Sequence, residues 1–420
     1  MRSEHSSPSS GEAGGYSRRS FLSGALSAAA AGPLLGAAAT LAAADPAAQA
    51  DPKRKIKLGV VGCGGRGSWI AGLFKQNPGY AMHAVADYFQ ETADKCGDSL
   101  GVARGRRFSG LSGYKKVLAS GVEAVALEVP PGFFPEMAAA AVEAGVHVYM
   151  AKPVAPDVPG CLRIEAAGKR ATQKQQVFFV DYQIPTDPLN IEVVKRIHSD
   201  AMGPLAKMVT VGFSCGYSDP PKTATLESRL QNSVWVSDVA LGGDWIAAYD
   251  IHAIDAALWV AGQRPVAATG ASRICRSHPH GDARDVCDVI YQYADGLVHT
   301  HTGQALPNGA DGELDCKVYS TTAHAFITYW HKAHFHRRGA PEFTGQVVDL
   351  YTAGAVRNIA SFYRAVTGGH FENPTVQRAV DGCLTCILGR EAAARHGQLT
   401  MEELLKENKR LELDLTGLRA

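Results

Sequence analysis

The sequence lacks an excess of charge of either sign, and long apolar stretches are scarce. Its 42 Lys and Arg residues nearly balance 41 Asp and Glu residues, so the formal net charge of the 420 residues is +1. Without a sustained basic stripe, a nucleic-acid-binding protein is excluded. The one long apolar run lies near the N-terminus, which excludes a polytopic membrane protein. The 46% hydrophobic and 20% charged residues exclude a fibrous or disordered chain and leave an enzyme or a binding protein.

The cysteines show no arrangement typical of a disulfide framework. They are nine in number and widely scattered, at Cys63, Cys96, Cys161, Cys215, Cys275, Cys287, Cys316, Cys383 and Cys386. A chain that folds in a reducing cytoplasm is expected to keep them as free, buried thiols. Cys383 and Cys386 form a C-x-x-C within an apolar helical run, where core packing is favoured over redox chemistry or metal binding.

The motifs of zinc proteins, H-E-x-x-H and paired C-x-x-C, are absent as well. Several histidines are close in sequence: His278 and His280, His299 and His301, and His331, His334 and His336. They supply no recognisable four-ligand set, so no metal site is predicted. His299 and His301 are two apart on a predicted strand and point to the same side, where we expect one of them to face a substrate.

The first fifty residues are typical of a twin-arginine export signal. The segment S-R-R-S-F-L at Ser17–Leu22 precedes a mildly apolar stretch, and A-Q-A at 48–50 offers a cleavage site. The sequence therefore predicts residues 1–50 as a signal peptide, the twin-arginine translocase as a partner during export, a periplasmic or exported location and no stable membrane span after processing. The alternatives are an uncleaved N-terminal anchor and a plain export signal.

A dinucleotide-binding motif opens the predicted mature chain. The buried strand Ile56–Val61 runs into G-C-G-G-R-G, and a helix follows. Gly62 permits a tight turn, Gly64 lets a pyrophosphate approach the backbone, and Gly67 lets helix and strand pack closely. The helix N-terminus supplies N–H groups and a positive dipole end. Gly65 and Arg66, which complete the loop, are also predicted to contact the cofactor.

Asp87 indicates which dinucleotide is bound. It ends the second predicted strand, Ala81–Ala86, where an acid holds the adenosine ribose hydroxyls. A carboxylate there repels a 2′-phosphate, and the following Tyr88 and Phe89 offer no arginine to bind one. NAD is therefore predicted, in preference to NADP. The alternative is a solvated aspartate at a strand end.

Predicted strands and helices alternate up to residue 182. This rhythm favours a parallel, doubly wound sheet, whose ligand crevice lies at the carboxyl ends of the strands. Pro130 and Pro131, Lys152 and Tyr182 all follow predicted strands, so we expect them at one cleft. From residue 183 onward strands dominate, and helices return after residue 353. The length itself favours two domains or three.

From about residue 55 onward the chain resembles the glucose–fructose oxidoreductase and inositol dehydrogenase (Gfo/Idh/MocA) family. The resemblance rests on G-C-G-G-R-G, Asp87, V-P-P-G-F-F-P-E-M-A-A-A-A-V-E-A-G-V-H-V-Y-M-A-K-P-V-A and G-P-L-A-K-M-V-T-V. It implies an α/β protein with an N-terminal Rossmann domain (51–182), a C-terminal α+β domain with a mostly antiparallel open sheet for substrate binding and oligomerisation (183–353), and helices that pack back on the body (354–420). It also implies a homo-oligomer.

The family resemblance assigns the reacting groups. A lysine of an E-K-P motif contacts the nicotinamide and the hydroxyl, and Lys152 matches it, although Ala151 replaces the glutamate. A helical histidine accepts the proton, and His252 with Asp255 matches that segment within a predicted helix over Gly242–Asp255. Ala248, however, replaces the acid found one turn earlier in many relatives. Pro130 and Pro131 match the P-P-x-x-H turn, in which Phe134 replaces the histidine.

The chemistry of Lys152 and His252 suits oxidation of an alcohol. A histidine can accept the hydroxyl proton, and a cationic lysine can hydrogen-bond the same oxygen. The prediction is an exported NAD(P)-dependent oxidoreductase that acts on a hydroxyl of a sugar, polyol or glycoside and holds its cofactor tightly. Two alternatives stay open: a redox-neutral, NAD-using glycoside hydrolase of the same family, and a member that binds without catalysis. For the two residues, a solvated loop lysine and a core histidine are the structural alternatives.

Overall fold

A parallel sheet built from the predicted β/α rhythm forms the first domain of the described protein. The computed structural model describes residues 54–199 and 201–420, and the predicted signal peptide lies outside them. The strands are β1 (Ile56–Val61), β2 (Tyr80–Asp87), β3 (Arg107–Ser109), β4 (Ala124–Leu127), β5 (His147–Ala151) and β6 (Phe178–Asp181). Their order is β3-β2-β1-β4-β5-β6, and every pair is parallel. β1 begins and ends at the predicted residues.

The helices of this domain connect successive strands. They are α1 (Gly65–Gln76), α2 (Gln90–Leu100), α3 (Gly113–Ala119), α4 (Phe134–Glu143) and α5 (Val158–Gln173). The residues of β4 are all buried, since helices cover both faces of a doubly wound sheet. This arrangement brings the carboxyl ends of six strands to one edge, where the crevice lies.

The second sheet is larger and mostly antiparallel. Its strands are β7 (Leu205–Ser214), β8 (Ala267–Arg273), β9 (Val286–Gln292), β10 (Val298–Ala305), β11 (Glu313–Ser320), β12 (Ala323–Thr328), β13 (Lys332–Arg337), β14 (Phe343–Gln346) and β15 (Gln398–Thr400). The order is β14-β13-β12-β11-β7-β10-β9-β8-β15, in which β7 and β10 are parallel and the other pairs antiparallel. The predicted fold class is confirmed.

Helices cover one face of this sheet and join it to the first domain. They are α6 (Pro188–Ile197), α7 (Val239–Gly242), α8 (Ile251–Ala261), α9 (Leu350–Gly368), α10 (Pro374–Arg395) and α11 (Met401–Glu407). α10 packs against both β6 and β8. Its Cys383 and Cys386 are fully buried free thiols, as expected for core packing. Among residues 54–199 and 201–420, no helix is long and apolar enough to cross a membrane.

The predicted helix over Gly242–Asp255 is not continuous. Gly243 and Asp244 both have a positive φ, of 87° and 77°, which ends α7. A π-helical turn over Ile246–Asp250 follows and leads into α8. The pattern of apolar residues did not reveal this change, because a π turn alters the helical period within a single turn. π turns are often found at functional sites.

Candidate active site

The glycine-rich loop between β1 and α1 has the shape of a phosphate-binding turn. Gly62 has a φ of +91°, and a Cβ there would lie 2.3 Å from the Glu128 backbone oxygen. A Cβ on Gly67 would lie 1.9 Å from the Gly62 oxygen, so the helix could not pack against the strand. A Cβ on Gly64 or Gly65 would meet no atom within 4 Å, and no described side chain caps the N-terminus of α1. Its first N–H groups are therefore available to an anion.

Asp87 lies at the carboxyl end of β2, beside this loop. Its two carboxylate oxygens accept hydrogen bonds from the backbone N–H groups of Cys63, at 2.8 Å, and Phe89, at 3.0 Å. Burial raises the pKa of Asp87, and these two bonds oppose the rise. Each carboxylate oxygen has a second lone pair, which leaves Asp87 able to accept ribose hydroxyls. The loop and Asp87 together fit a dinucleotide.

Arg66 reaches from the loop toward the ends of neighbouring strands, and its contact with the cofactor stays a prediction. Its guanidinium forms ion pairs with Glu128 at 3.1 Å and Asp181 at 2.5 Å, and it donates to the Tyr351 hydroxyl at 3.2 Å. Glu128 follows β4, and Asp181 ends β6. Arg66 thus brings positive charge to the carboxyl ends of these strands, next to the predicted reacting groups, and not into the turn at Gly64. Burial raises the pKa of Glu128 to about 7, and the charge of Arg66 opposes this.

Lys152 directly follows β5 and reaches the π-helical turn of the second domain. Its Nζ donates to the backbone oxygen of Ala248 at 2.6 Å. A π turn departs from the i→i+4 pairing of an α-helix, and here one of its carbonyls accepts a side-chain donor. Burial, together with the charge of Arg66, lowers the pKa of Lys152 to about 7. Lys152 therefore changes its charge near neutral pH.

His252 lies one turn after Ala248, in the first turn of α8. The residue is 7% exposed, and its ring packs edge-on against Tyr182, at 6.0 Å, and Tyr329, at 5.3 Å between ring centroids. Its Nδ1 is buried without a hydrogen-bond partner in the described part of the chain. Burial and the positive charges of Lys152 and Arg66 lower the pKa of His252 well below its usual 6.5. The imidazole is thus neutral at pH 7 and can accept a proton.

Asp255 is not placed against His252. Its fully buried carboxylate is bound in bidentate fashion by Arg378, at 2.5 and 2.7 Å. The Arg378 guanidinium lies over the Trp259 ring, 5.0 Å from its centroid. Asp255 therefore fixes α8 to α10, and the contact it was expected to make with the reacting groups is replaced by an ion pair with the partly buried Arg378.

Pro130 and Pro131 lie in the loop that follows β4, at the same edge of the sheet. Pro131 is buried and starts a short 3₁₀ turn. The structure thus brings the loop 62–67, Pro130, Pro131 and Lys152 to one crevice, as predicted from their places after strands. A role for each of them in binding cofactor stays a prediction.

A buried polar chain that sequence analysis missed lies beneath the π turn. Asp250 accepts from His301 Nε2 at 3.0 Å, and the Thr210 hydroxyl bonds to His301 Nδ1 at 3.0 Å and to His299 Nε2 at 2.7 Å. Neither histidine faces a substrate: His299 is 0% exposed and His301 2%. That expectation is wrong, because the side of β10 on which they lie is covered by helices.

Two glycines make room for the Asp250 carboxylate on the sheet. A Cβ on Gly212 of β7 would lie 2.0 Å from Asp250 Oδ1, and one on Gly303 of β10 would lie 2.3 Å from Oδ2. Burial raises the pKa of Asp250 to about 6, and His301 opposes the rise. Glycines inside V-T-V-G and T-H-T-G, on strands of otherwise bulky residues, were the sequence signal for such a close approach.

An arc of aromatic rings leads from His252 to the surface. Trp330 lies 4.9 Å from Tyr329 and 6.5 Å from Tyr249 between ring centroids. Trp245 stacks on Tyr249 at 5.0 Å and contacts Tyr217 at 5.4 Å. The Trp245 Nε1–H is buried with no partner among residues 54–199 and 201–420, and Tyr217 is 42% exposed. Such an arc with a few polar tips is typical of a small-molecule site.

The two sheets and the glycine loop define a two-domain protein with a dinucleotide-binding Rossmann fold. Residues 56–182 match the model of the GFO/IDH/MocA oxidoreductase family with an NAD-binding Rossmann fold, and residues 193–325 match the model of its C-terminal domain. Together the matches span more than half of the chain. The chain belongs to the GFO/IDH/MocA family, which confirms the predicted family, enzyme class and cofactor NAD.

The individual proteins that this chain resembles share a low sequence identity with it. Inositol 2-dehydrogenase 4 of Saccharopolyspora erythraea is 30% identical over 162 residues, which are 36% of this chain and 43% of that protein. The match thus spans less than half the length of this relative. The aldose-aldose oxidoreductase from Caulobacter crescentus, complexed with glycerol, has a TM-score of 0.67 at 18% identity, covering 83% of this chain and all of that one.

A further similar structure is a levoglucosan dehydrogenase in complex with NADH and levoglucosan. Its TM-score is 0.69 at 16% identity, over 83% of this chain and 100% of that chain. At such identities the two structural likenesses show the shared fold. What these proteins bind is a property of theirs, and the substrate of the present chain has to be argued from its own residues.

Proposed function

We propose that this protein is exported through the twin-arginine pathway and oxidises a hydroxyl of a sugar, polyol or glycoside with a tightly held NAD. The observation that carries the proposal is the junction of the two domains at the crevice. There Lys152, from the end of a Rossmann strand, bonds the π turn one helical turn before the unpartnered His252.

His252 and Lys152 have the protonation states needed to remove a proton from an alcohol. Bound NAD supplies the hydride acceptor. The neutral His252 takes the hydroxyl proton, and the cationic form of Lys152 donates a hydrogen bond to the same oxygen, stabilising the developing negative charge. Arg66 tunes this pair, because its charge lowers the pKa of both groups. Asp255 is a positioning residue that holds the helix of His252 through Arg378.

The aromatic arc supports a carbohydrate or polyol as substrate. Aromatic rings pack against the apolar C–H face of such a molecule, while the N–H and O–H groups of the same Trp and Tyr side chains can hydrogen-bond to its hydroxyls. The buried Trp245 Nε1–H, which no described group accepts, is a donor of this kind. The ligands of two similar structures, glycerol and levoglucosan, belong to the same chemical class.

Export and cofactor retention are linked in this proposal. The S-R-R-S-F-L segment favours a route that carries folded proteins, so NAD can be bound before export. No free NAD pool exists outside the cytoplasm, and a cofactor that stayed bound would have to be regenerated on the enzyme by a second substrate or an electron acceptor.

We also propose a homo-oligomer that uses the open face of the larger sheet. Ile290, Val298 and Tyr319 on β9, β10 and β11 are 45%, 40% and 39% exposed, although they are large apolar residues. Light scattering coupled to size-exclusion chromatography tests this: a monomeric mass at micromolar concentration would contradict it.

The proposed function is tested by identifying the nucleotide bound to the mature protein and the substrates that it oxidises. The purified protein is denatured, and the released nucleotide is identified by chromatography. Near-stoichiometric NAD or NADH is expected, followed by oxidation of members of a sugar and polyol panel when an acceptor is added. Glycoside cleavage with no net NADH would replace the oxidoreductase with a redox-neutral hydrolase. Failure to bind NAD, even when it is supplied, would indicate a non-catalytic protein.

A further inference from the structure

The segment after α11, residues 408–420, forms no helix or strand and runs back to the first domain. It starts near the loop that follows β5: the Leu411 N–H donates to Asp157 Oδ2 at 2.8 Å. It then passes the loop that follows β4, where a Cβ on Gly132 would lie 2.9 Å from Leu413 Cδ1. Both contacts lie at the carboxyl edge of the parallel sheet.

The other end of the segment is held at the loops after β2 and β3. The Arg419 backbone oxygen accepts from the Leu111 N–H at 3.0 Å. The Arg419 backbone N–H donates to the Tyr88 hydroxyl at 3.2 Å. Gly110 has a φ of +82°, and a Cβ there would lie 2.2 Å from the Ala420 oxygen. A larger residue at position 110 would displace the segment.

These anchors show that residues 411–419 cross the crevice. From β5 to β3 the sheet order passes four strand intervals, about 19 Å at roughly 4.8 Å each. Nine residues reach up to about 30 Å when extended, so the chain spans the crevice without strain. A dinucleotide bound at this edge extends in the same direction, with its adenosine near β2 and its nicotinamide near β4. The segment would therefore lie along the cofactor.

The side chain of Arg419 lies at the adenosine end. Its guanidinium is 5.1 Å from the centroid of the Tyr88 ring, and Nη2 donates to the backbone oxygen of Tyr88 at 3.3 Å. Tyr88 directly follows Asp87. The one ion pair of Arg419 in the described ranges is with Glu227, at a marginal 4.0 Å with both side chains about half exposed. The Nε and Nη1 donors of the guanidinium have no partner among the described residues and can contact a ligand beside Asp87.

We propose that residues 411–419, which we name the strap, complete the NAD site, and that Arg419 binds the adenosine half of the cofactor. This rests on the proposed function and deepens it, because it explains how NAD is retained. The guanidinium stacks on the adenine ring, a contact that Arg makes with aromatic rings. The strap is also tied to the second domain, since a Cβ on Gly417 would lie 3.0 Å from Thr225.

The test compares three variants of the full mature protein for release of bound NAD and of ADP-ribose. One is shortened after Lys409, one carries Arg419→Gln, and the matched control carries Arg410→Gln, an exposed arginine of the same segment that pairs only with exposed Glu412 among described residues. Dissociation is followed by exchange against a fluorescent NAD analogue, and thermal midpoints are recorded in parallel.

We expect the shortened chain to release both ligands at least about tenfold faster, which corresponds to about 1.4 kcal/mol. Arg419→Gln should give an increase of several fold for both ligands without a change in thermal midpoint, and Arg410→Gln should match the unaltered protein. Equal release rates in all four proteins would overturn the strap while leaving the proposed function intact. If the unaltered protein binds neither ligand, the proposed function itself fails.

Discussion

Two buried histidines of this protein, His252 and His301, differ in how their ring nitrogens are satisfied. His301 bonds Asp250 on one side and Thr210 on the other. His252 lies at the crevice with an unpartnered Nδ1, and burial together with two nearby cations lowers its pKa. A buried polar atom without a partner costs about 1–3 kcal/mol, so the crevice retains an unfavourable group that a ligand can satisfy. In the chain beneath the π turn both nitrogens of His301 have partners, and Asp250 Oδ1 is its one buried atom without a partner in the described part of the protein.

The largest effect is expected at His252. His252→Asn removes the proton acceptor, and turnover should fall by about 10²–10⁴-fold while bound nucleotide and thermal midpoint change little. Steady-state kinetics and nucleotide content measure this. The control is His280→Asn, at an exposed position. Unchanged turnover would assign His252 to the core, like His301.

His301→Ala is expected to affect stability more than chemistry. It leaves Asp250 buried without its partner, and the free energy of unfolding should fall by about 2–4 kcal/mol. Chemical denaturation measures the loss, with exposed His324→Ala as control. A variant as stable as the parent would show that the polar chain contributes nothing.

The same variant has a pH signature. Burial raises the pKa of Asp250 in the folded protein to about 6, above its usual 3.8. The folded state therefore binds a proton more tightly than the unfolded state, and the free energy of unfolding falls as the pH rises from about 4 to about 6. His301 opposes the rise. In His301→Ala the loss should therefore extend to higher pH, and denaturation curves across pH 5 to 8 should show stability still falling above about pH 6.

Asp87→Ala tests the cofactor side of the crevice. Loss of a carboxylate that accepts ribose hydroxyls should weaken NAD binding by about 1.5–3 kcal/mol and reduce the preference for NAD over NADP. Calorimetric titration with both nucleotides measures it, and exposed Asp288→Ala is the control. If affinity and preference stay unchanged, Asp87 is a solvated strand-end residue.

The smallest effect is a shift in pH dependence. With the pKa of Lys152 near 7, kcat/KM should fall on the alkaline side as the cation is lost. Arg66→Gln removes a charge that lowers this pKa, so the alkaline limb should move up by about one pH unit. In Lys152→Arg the limb should disappear. A limb that stays in place in both variants belongs to another group.

Local patterns predicted the fold well. The strand Ile56–Val61, the glycine loop and Asp87 were predictable because a buried strand, a tight turn and a helix N-terminus each depend on neighbours in sequence. The capping box that Thr400 and Glu403 form at the start of α11 is local in the same way. The expectation for His299 and His301 failed because strand periodicity gives the side on which a residue lies, and tertiary packing decides whether that side is covered.

The sequence by itself thus determined the Rossmann sheet, the glycine loop and the NAD-binding family, and it predicted the reacting pair. Only the tertiary structure decided which partners the charged groups found. Arg66 pairs with Asp181, Asp255 with Arg378, and Arg419 reaches Tyr88 across 331 positions. The physical reason is that a charge in a crevice acts through space over a few ångströms, while sequence patterns record only what lies within a turn or a strand.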